Sequence, residues 1–291
     1  MGAVAIVTGG ASGIGRALGE ALVGRGDTVM LGDVDEALDR VANEVSHRGP
    51  GTAVPIVVDV RDAAAVRTMV ELTQRDHGRV DLMFNNAGVG VAGEVDELSL
   101  EHWNRALDVN VRGVIHGVHA VYPLMLAQGF GHIVNTASIA GLLPSPFITP
   151  YGMSKHAVVG LSLSLRLEAA DRGVKVSVVC PGVIETPILE KGNPPDLPSL
   201  PHMLSPGKSR DYLKRFNKPY PASALAADVF RGVERNRAVI VAPRKAYVQW
   251  LIQRAAPQLI SRAGRKSLAW ARQNMEAETT SREIPGPLTT P

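Results

Sequence analysis

Tyr151 and Lys155 are the two residues of this sequence whose types and spacing best suit acid–base chemistry. Four residues apart on a helix, they lie on one face, about one turn from each other. A free phenol has a pKa of about 10 and is a weak base near neutral pH. Because a fixed ammonium favours the phenolate, we expect Lys155 to lower the pKa of Tyr151 and make the phenol a usable proton donor and acceptor. Such a pair alone is more often a surface contact, so its meaning depends on the rest of the chain.

The sequence around the pair predicts a helix over about 151–172, with Thr149 as N-cap, Pro150 at the first helical position and Gly173 at its end. Apolar runs that suit buried strands alternate with helical stretches, which is typical of a parallel sheet covered on both faces. Strands are predicted at 4–7, 28–32, 54–58, 81–84, 131–136, 175–180 and 238–242. Further helices are predicted at 16–25, 63–77, 100–128 (capped by Ser99) and 223–237 (capped by Ser223). We expect Asn110 to kink the helix over 100–128.

A glycine-rich turn, Thr8-Gly9-Gly10-Ala11-Ser12-Gly13-Ile14-Gly15, joins the first strand to the first helix. Its glycines allow a tight turn and a close approach of the backbone to a ligand. The helix that follows offers free N–H groups and a partial positive charge to a pyrophosphate. The spacing is GxxxGxG, which differs from the GxGxxG of the common dinucleotide fingerprint. The turn therefore indicates a dinucleotide site of a distinct pattern.

Asp33 ends the second strand, 18 residues beyond Gly15. A carboxylate at this point is placed to bind both ribose hydroxyls of an adenosine, and it repels a 2′-phosphate. Neither Ser12 nor Val34 supplies a compensating cation, so the sequence favours NAD over NADP. The alternative is a solvated aspartate in a turn.

Polar or small residues also follow the other strands, where ligands bind in open α/β sheets. Asp59-Val60 follows the third strand, Asn85-Asn86-Ala87-Gly88 the fourth, and Ser138 the fifth; Pro181-Gly182-Val183-Ile184-Glu185-Thr186 follows the sixth. Asp59 is expected near an adenine ring, and the small loop residues along the cofactor. The alternative for the asparagines is a structural role, in which they brace neighbouring strands.

These features together resemble the short-chain dehydrogenase/reductase family, in its shorter single-domain branch, over about residues 3–186. Six of them occur in the family's order and approximate spacing: the glycine turn, Asn85–Gly88, Asn110, Ser138, the Tyr151/Lys155 pair and Pro181-Gly182. The resemblance implies a Rossmann-like, doubly wound α/β sheet of about seven strands. It also implies reversible hydride transfer between a nicotinamide cofactor and an alcohol or carbonyl group.

Site roles follow from the same resemblance. Tyr151 is implied as general acid/base, Ser138 as the residue that orients the substrate oxygen, and Asn110 as support for a water-linked proton relay. Lys155 is implied to lower the tyrosine pKa and to bond the nicotinamide ribose. The residues expected around the cofactor are Gly9, Ser12, Gly13, Ile14, Gly15, Asp33, Asp59, Val60, Asn86, Ala87, Gly88, Tyr151, Lys155, Pro181, Gly182, Val183 and Thr186. No metal is expected, because His116 and His119 have no evident third ligand.

The chain is expected to comprise a catalytic domain over 1–243, a basic helical extension over 244–276 and a disordered tail over 277–291. Residues 187–222 are proline-rich and form a candidate substrate lid. The apolar residues of this segment are Ile188, Leu189, Leu197, Leu200, Met203 and Leu204. Together with Leu142, Leu143 and Phe147 they suggest a hydrophobic alcohol or ketone as substrate. The alternative is that these residues serve ordinary loop packing.

Charge is distributed unevenly along the 291 residues. The formal net charge is +3, but residues 205–275 hold 15 Lys or Arg against 3 Asp or Glu. The extension has an apolar stripe edged with cations, which suits an anionic membrane surface, a cap on the active site or a partner subunit. Nucleic-acid binding has no motif behind it. The family often forms dimers or tetramers through two long helices, here about 100–128 and 151–172.

Cys180, the single cysteine, excludes an internal disulfide framework and suits an inert core thiol in a reducing cytosol. No apolar run reaches membrane-spanning length, and the early first strand leaves no room for a signal peptide, so we expect a cytoplasmic protein. The leading hypothesis is an NAD-dependent dehydrogenase of a hydrophobic, lipid-like or steroid-like secondary alcohol. The alternatives are an NADPH-dependent carbonyl reductase and, from another class, a dinucleotide-binding regulatory or scaffold protein.

Overall fold

Seven parallel strands form one sheet in a computed structural model that describes residues 2–200, 218–266, 268, 269 and 272. The strands of this sheet are β1 Val4–Thr8, β2 Thr28–Asp33, β3 Thr52–Val57, β4 Leu82–Asn85, β5 Gly131–Thr136, β6 Val174–Pro181 and β9 Val239–Ala242. Two short strands, β7 Ile184–Glu185 and β8 Tyr220–Pro221, pair with each other outside this sheet. The spatial order is β3-β2-β1-β4-β5-β6-β9. The predicted parallel sheet of seven strands is confirmed.

Helices cover both faces of the sheet. They are α1 Gly13–Gly24, α2 Leu38–Ser46, α3 Ala63–His77, α4 Leu100–Leu107, α5 Gly113–Gln128, α6 Thr149–Glu168, α7 Ala222–Glu234 and α8 Arg244–Ala255. Successive residues of β1 point to opposite faces, as the pleat requires. Ala5 and Val7 pack with α1, α2 and α7, whereas Ile6 packs with α3 and α5. The fully buried β1 thus lies at the centre of two aliphatic cores.

The strand order creates a crevice at the carboxyl edge of the sheet. From β1 the chain builds outward through β2 and β3, then crosses back to place β4 on the other side of β1. Ligands bind at this switch point in open α/β sheets. Because every strand of the sheet is parallel to its neighbours, the residues that follow the strands all meet at this one edge.

The long helix predicted over 100–128 is not a regular α-helix throughout. A π-helical turn, Asp108–Arg112, separates α4 from α5, and Asn110 lies inside it. Single π turns of this kind insert a residue into the helical ladder and are frequent at functional sites. The expected kink at Asn110 therefore takes the form of a π turn.

Several predicted helix boundaries differ from the observed ones. Ile148 is the N-cap of α6, so Thr149 already belongs to the helix, although Pro150 does lie in the first turn. Likewise Pro221 precedes α7, which places Ser223 inside it. In both cases a proline with a fixed φ starts the helix where a side-chain cap was expected. Another difference is at the end of α6, which stops at Glu168 instead of near 172.

The C-terminal extension begins with α8 and continues as a second helical run over 257–266, after a break at Ala256. Residues 201–217, which hold Met203 and Leu204, lie outside the described residues, as does the tail over 277–291 that was expected to be disordered. Within the part of the chain that the structure describes, we find no helix both long and apolar enough to cross a membrane.

Candidate active site

Ser138, Tyr151 and Lys155 meet at the carboxyl edge of the sheet. Ser138 follows β5, and its Oγ accepts the N–H of Ala140 at 3.1 Å. Its hydroxyl also lies close enough to the phenol of Tyr151, in the first turn of α6, to lower the pKa of that phenol. One turn further on, the Nζ of Lys155 lies 5.6 Å from the centre of the Tyr151 ring and donates to the backbone oxygen of Thr136 at 2.9 Å. The structure therefore brings together three of the four predicted catalytic side chains.

The ionisation of this group differs from the sequence-based expectation. Burial raises the pKa of Tyr151 above its usual value, and the nearby hydroxyl of Ser138 opposes the rise only in part. Lys155 does not bring this pKa below its usual value in the protein by itself, so its expected effect on the tyrosine stays a prediction. Lys155 is itself 3% exposed, and desolvation lowers its own pKa to about 8. Its ammonium lies over the ring and is hydrogen-bonded to Thr136.

Cys180 lies in β6 directly beside this group. The thiol is fully buried, and burial raises its pKa to about 12 although the nearby Lys155 opposes the rise. A thiol in this state stays protonated near neutral pH and is a poor nucleophile. This agrees with the predicted role as an inert core residue.

Asn110 holds the loop that follows β4. Its Oδ1 accepts the N–H of Val89 at 2.9 Å, and its Nδ2 donates to the backbone oxygen of the same residue at 3.0 Å. Nδ2 also donates to the hydroxyl of Ser154 at 3.0 Å, which in turn donates to the backbone oxygen of Tyr151 at 2.7 Å. The amide thus connects the β4 loop to the turn of α6 that carries Tyr151. Its proposed part in a proton relay stays a prediction.

The glycine turn packs tightly against the β4 loop. Gly9 and Gly13 have φ values of +69° and +52°, a region that favours glycine. A Cβ on Gly9 would lie 2.9 Å from the Cα of Ala87, and one on Gly15 would lie 2.0 Å from the backbone oxygen of Gly9. A Cβ on Gly88 would lie 3.1 Å from Asn110 Oδ1 and 3.3 Å from Lys155 Nζ. These glycines keep the turn and the loop close together and close to the catalytic group.

Thr8 and Asn86 join the two loops by hydrogen bonds. Thr8 Oγ1 accepts the N–H groups of Asn86 and Ala87 at 2.9 and 3.0 Å, and Asn86 Nδ2 donates to the backbone oxygen of Thr8 at 3.0 Å. Asn85 donates to Asn135 of the neighbouring β5 at 2.8 Å. The bracing role that the sequence left open for the asparagines is therefore observed, and contact of Asn86 with a cofactor stays a prediction.

Asp33 lies where β2 meets the glycine turn. Its Oδ2 accepts the N–H of Ala11 at 2.9 Å, and its Oδ1 accepts those of Val34 and Asp35 at 2.8 and 3.2 Å. These three bonds fix the carboxylate at the outer end of the turn. The carboxylate is partly buried there, with backbone N–H groups directed at both of its oxygens.

Asp59 and Val60 lie further along the same edge. The carboxylate of Asp59 is paired with Arg61 at 2.6 Å, and this hydrogen bond holds the pKa of Asp59 below its usual value. Val60 is buried and packs against Gly113, while its backbone oxygen lies 2.8 Å from Nδ1 of His116. Contact of Asp59 with an adenine ring stays a prediction.

The segment after β6 closes the other side of the turn. A Cβ on Gly13 would lie 3.1 Å from Cγ2 of Thr186, so Ser12 to Gly13 and Thr186 face each other across a narrow gap. Gly182 donates to the backbone oxygen of Ala242 at 2.8 Å, and Val183 accepts from Tyr220 at 2.9 Å. Pro181, Gly182 and Val183 therefore lie at the predicted edge, held by β9 and by the short β7–β8 pair.

The described part of the lid is fastened to the β4 loop and to α4. Asn193 exchanges two hydrogen bonds with the backbone of Ala92, at 2.8 and 2.9 Å. The buried His102 contacts the backbone oxygen of Pro198 at 3.1 Å, and Arg105 forms an ion pair with Asp196. The lid therefore lies over the loop that borders the catalytic group.

The apolar lid residues occupy the space above that loop. A Cβ on Gly90 would lie 3.6 Å from Ile188, and one on Gly93 would lie 2.5 Å from Leu200. Gly93 also donates to the backbone oxygen of Phe147 at 2.7 Å, which joins the segment between β5 and α6 to this loop. The predicted apolar loops thus converge on one rim.

Sequence reasoning missed three residues that hold the site together: Thr8, Ser154 and Asn193. Thr8 was read only as part of the glycine turn, and Ser154 only as a spacer between Tyr151 and Lys155. Each has a bonding partner far away in the sequence, Asn86 for Thr8, Asn110 for Ser154 and Ala92 for Asn193, so no local signal marked it. For Asn193, a single amide within a proline-rich stretch was the only hint.

Comparisons with known proteins agree with this geometry. The family model described as short chain dehydrogenase matches residues 3–196. A cyclohexanol dehydrogenase of Acinetobacter sp. is 39% identical over 188 residues, which cover 64% of this chain and 74% of that protein. The 3-oxoacyl acyl-carrier-protein reductase FabG of Thermotoga maritima is 36% identical over 219 residues, covering 75% and 86%.

A solved structure gives the same result. A short chain dehydrogenase/reductase from Burkholderia phymatum, in complex with NAD, superposes with a TM-score of 0.80 at 34% identity, covering 89% of this chain and 95% of that one. The family match spans well over half of the chain, and it includes the glycine turn, Ser138, Tyr151 and Lys155. This chain belongs to the short-chain dehydrogenase family of oxidoreductases.

Proposed function

We propose that this protein is an NAD-dependent dehydrogenase that interconverts a hydrophobic secondary alcohol and its ketone. The observation that carries the proposal is the group of Ser138, Tyr151 and Lys155, packed at the sheet edge beside the glycine turn. A protein that only bound a dinucleotide would need the turn but not a buried phenol–serine–lysine group. This argues against a purely regulatory or scaffold role.

The residues at the edge suit a dinucleotide. The side chain of Ser12 makes no capping bond at the start of α1, and the first turn of that helix carries no acidic residue. Its free N–H groups and partial positive charge therefore favour a pyrophosphate. Lys155 donates only one described hydrogen bond, to Thr136, so further N–H groups of a buried ammonium remain for a ribose. When bound, the cofactor accepts or supplies the hydride through its nicotinamide ring.

Charge at the turn favours NAD over NADP. The carboxylate of Asp33 lies within hydrogen-bonding distance of the turn, and Asp35 and Glu36 follow it in sequence. Arg16, the cation that directly follows the glycine turn, is paired with Glu20 and Glu44, each at 3.0 Å. A 2′-phosphate would meet net negative charge here, whereas two ribose hydroxyls would find an acceptor.

Tyr151 transfers the proton in this proposal. In the direction of reduction, a phenol whose pKa is raised is fully protonated near neutral pH and donates to the oxygen of the ketone. In the direction of oxidation the phenolate must form, and the ammonium of Lys155 is the residue of this chain that favours it. Ser138, whose hydroxyl lies beside the phenol, orients the substrate oxygen. We expect oxidation to accelerate as the pH rises, because deprotonation of the phenol is then easier.

An apolar substrate suits the rim formed by the lid and the β4 loop. Ile188 and Leu200 lie against this loop, and the relative named for cyclohexanol acts on an apolar secondary alcohol by its printed name.

We also propose that the protein is a homodimer or homotetramer through α4, α5 and α6. Large apolar side chains are exposed on these helices, which is unusual for a face that meets only water. They are Leu100, Ile115, Met153, Leu163 and Leu167.

The test combines a panel of hydrophobic alcohols and ketones with titrations of both cofactors. We expect turnover with NAD and binding of NAD at least about tenfold tighter than that of NADP, measured by fluorescence or calorimetry without substrate. Asp33→Asn is expected to reduce the difference between the affinities for NAD and NADP. Tighter binding of NADP by the wild type would contradict the charge argument and favour an NADPH-dependent reductase. Binding of NAD without turnover of any substrate would favour the regulatory role.

A further inference from the structure

The face of α8 that points away from the protein is apolar, the reverse of an ordinary surface helix. The inward side holds Ala246, which is buried, and Gln249, Trp250 and Gln253, which are half-buried. The outward side chains are Tyr247, Val248, Leu251 and Ile252, with exposed fractions of 43%, 45%, 43% and 38%. Helices on a globular surface normally turn their apolar stripe to the core. This helix is therefore arranged to contact something outside the described chain.

Cations border this apolar face. Residues 244–266 contain six basic residues and no Asp or Glu: Arg244, Lys245, Arg254, Arg262, Arg265 and Lys266. At 100° per residue, Lys245 and Arg254 fall on opposite flanks of the outward face. Residues 1–243 carry 23 Lys or Arg against 25 Asp or Glu, so the positive charge is concentrated in this segment.

Both ends of the C-terminal extension are attached at the rim of the active site. Near the start of α8, a Cβ on Gly182 would lie 3.2 Å from the Cβ of Ala246. Near the other end, Arg272 forms a bidentate ion pair with Glu94 of the β4 loop, at 2.7 and 3.0 Å. The extension therefore runs from the predicted cofactor edge to the loop beneath the lid.

We propose that residues 244–266 dock the protein on an anionic lipid surface. The apolar face of α8 enters the headgroup region, and the flanking cations lie beside lipid phosphates. Aromatic side chains suit this boundary, and Trp250 packs against Tyr247 at 5.8 Å and beneath Arg254 at 5.5 Å. Because the segment is attached at the rim, docking brings the active site to the bilayer, where apolar alcohols and ketones collect. Only this access to apolar substrates rests on the proposed function.

A second copy of the chain fits this face less well. A two-fold contact brings the same patch of both copies together, so the six cations of one segment would face those of the other. Like charges brought together in this way oppose association.

The test is sedimentation of the full chain with lipid vesicles, without cofactor or substrate. We expect binding to vesicles of phosphatidylglycerol and phosphatidylcholine in equal amounts, little binding to phosphatidylcholine alone, and loss of binding as salt is raised. The double variants Leu251→Ser with Ile252→Ser, and Arg262→Gln with Arg265→Gln, are each expected to bind roughly tenfold more weakly. Arg67→Gln with Arg75→Gln on α3 is the matched control and should bind like the wild type.

Equal binding to both kinds of vesicle, or variants that bind like the wild type, would overturn the proposal. So would a Leu251/Ile252 variant that changes only the oligomeric state in size-exclusion chromatography, since the occupant would then be a second copy. Turnover of a water-soluble alcohol should be the same in these variants and the wild type. Loss of vesicle binding is thereby distinguished from failure of the proposed reaction.

Discussion

Replacing Lys155 by methionine separates the effect of this buried ammonium on the free energy of unfolding from its contribution to the reaction. Burial lowers the pKa of Lys155 from 10.5 to about 8. At 1.36 kcal/mol per unit, the charged form in the folded protein is disfavoured by about 3 kcal/mol. Methionine has a similar length and removes this penalty, but it also loses the hydrogen bond to Thr136, which is worth about 1 kcal/mol. We therefore expect Lys155→Met to be more stable than the wild type by about 2 kcal/mol at pH 7, and to lose activity.

The effect has a defined dependence on pH. A lysine whose pKa is lowered by folding destabilises the fold fully below its folded pKa, and this penalty is relieved as the pH rises toward the unfolded value. The advantage of Lys155→Met should thus be constant below pH 8, which is about the folded pKa, and disappear toward pH 10.5. Thermal and denaturant unfolding of the cofactor-free protein measure it, with an expected rise in Tm of about 4 °C at pH 7.

Lys175→Met is the matched control, because Lys175 lies on the exposed side of β6 and its replacement should change stability little. If Lys155→Met were less stable than the wild type at pH 7, the buried ammonium would be a net support of the fold. If the difference between the two proteins did not change between pH 7 and pH 10, desolvation would not be its cause. Either result would refute the reasoning.

Two further substitutions test how the loops are held. Gly15→Ala places a Cβ 2.0 Å from the backbone oxygen of Gly9, so we expect a less stable protein and cofactor binding at least about tenfold weaker, measured by unfolding and by titration. Asn193→Ala removes both hydrogen bonds to Ala92, and a lid held less firmly should raise KM by about tenfold with little change in kcat, measured by steady-state kinetics.

Each of these has a control within the same element. Gly24 in α1 has no atom within 4 Å of its added Cβ, so Gly24→Ala should be neutral or slightly stabilising. Asp196→Asn breaks only an exposed ion pair and should change KM less than Asn193→Ala does. Cofactor affinity unchanged by Gly15→Ala, or an unchanged KM in Asn193→Ala, would contradict the proposed packing of the turn or of the lid.

The sheet and the catalytic group could be predicted because their signals are local. Buried parallel strands are continuous apolar runs, and the glycines of the turn occur where a backbone needs positive φ or close packing. Tyr151 and Lys155 are related by helical spacing alone. For these features the neighbouring residues determine the structure, so one sequence is sufficient.

Other features depend on contacts between distant parts of the chain. The π turn at Asn110 forms where its amide pairs with Val89, and the direction of the Tyr151 pKa depends on how deeply the fold buries the phenol. The attachment of His102 to Pro198 joins segments nearly a hundred residues apart. The outward apolar face of α8 was visible as a stripe, but which side of the stripe faces the protein is decided by packing.

Turnover and cofactor binding by Tyr151→Phe test the central claim most directly. Phenylalanine keeps the ring and removes only the hydroxyl that lies beside Ser138. We predict that the variant binds NAD with nearly the wild-type affinity while kcat falls by at least about a hundredfold in both directions, which is typical for loss of a general acid/base. Unchanged turnover would remove Tyr151 from the mechanism and contradict the proposed function of this site.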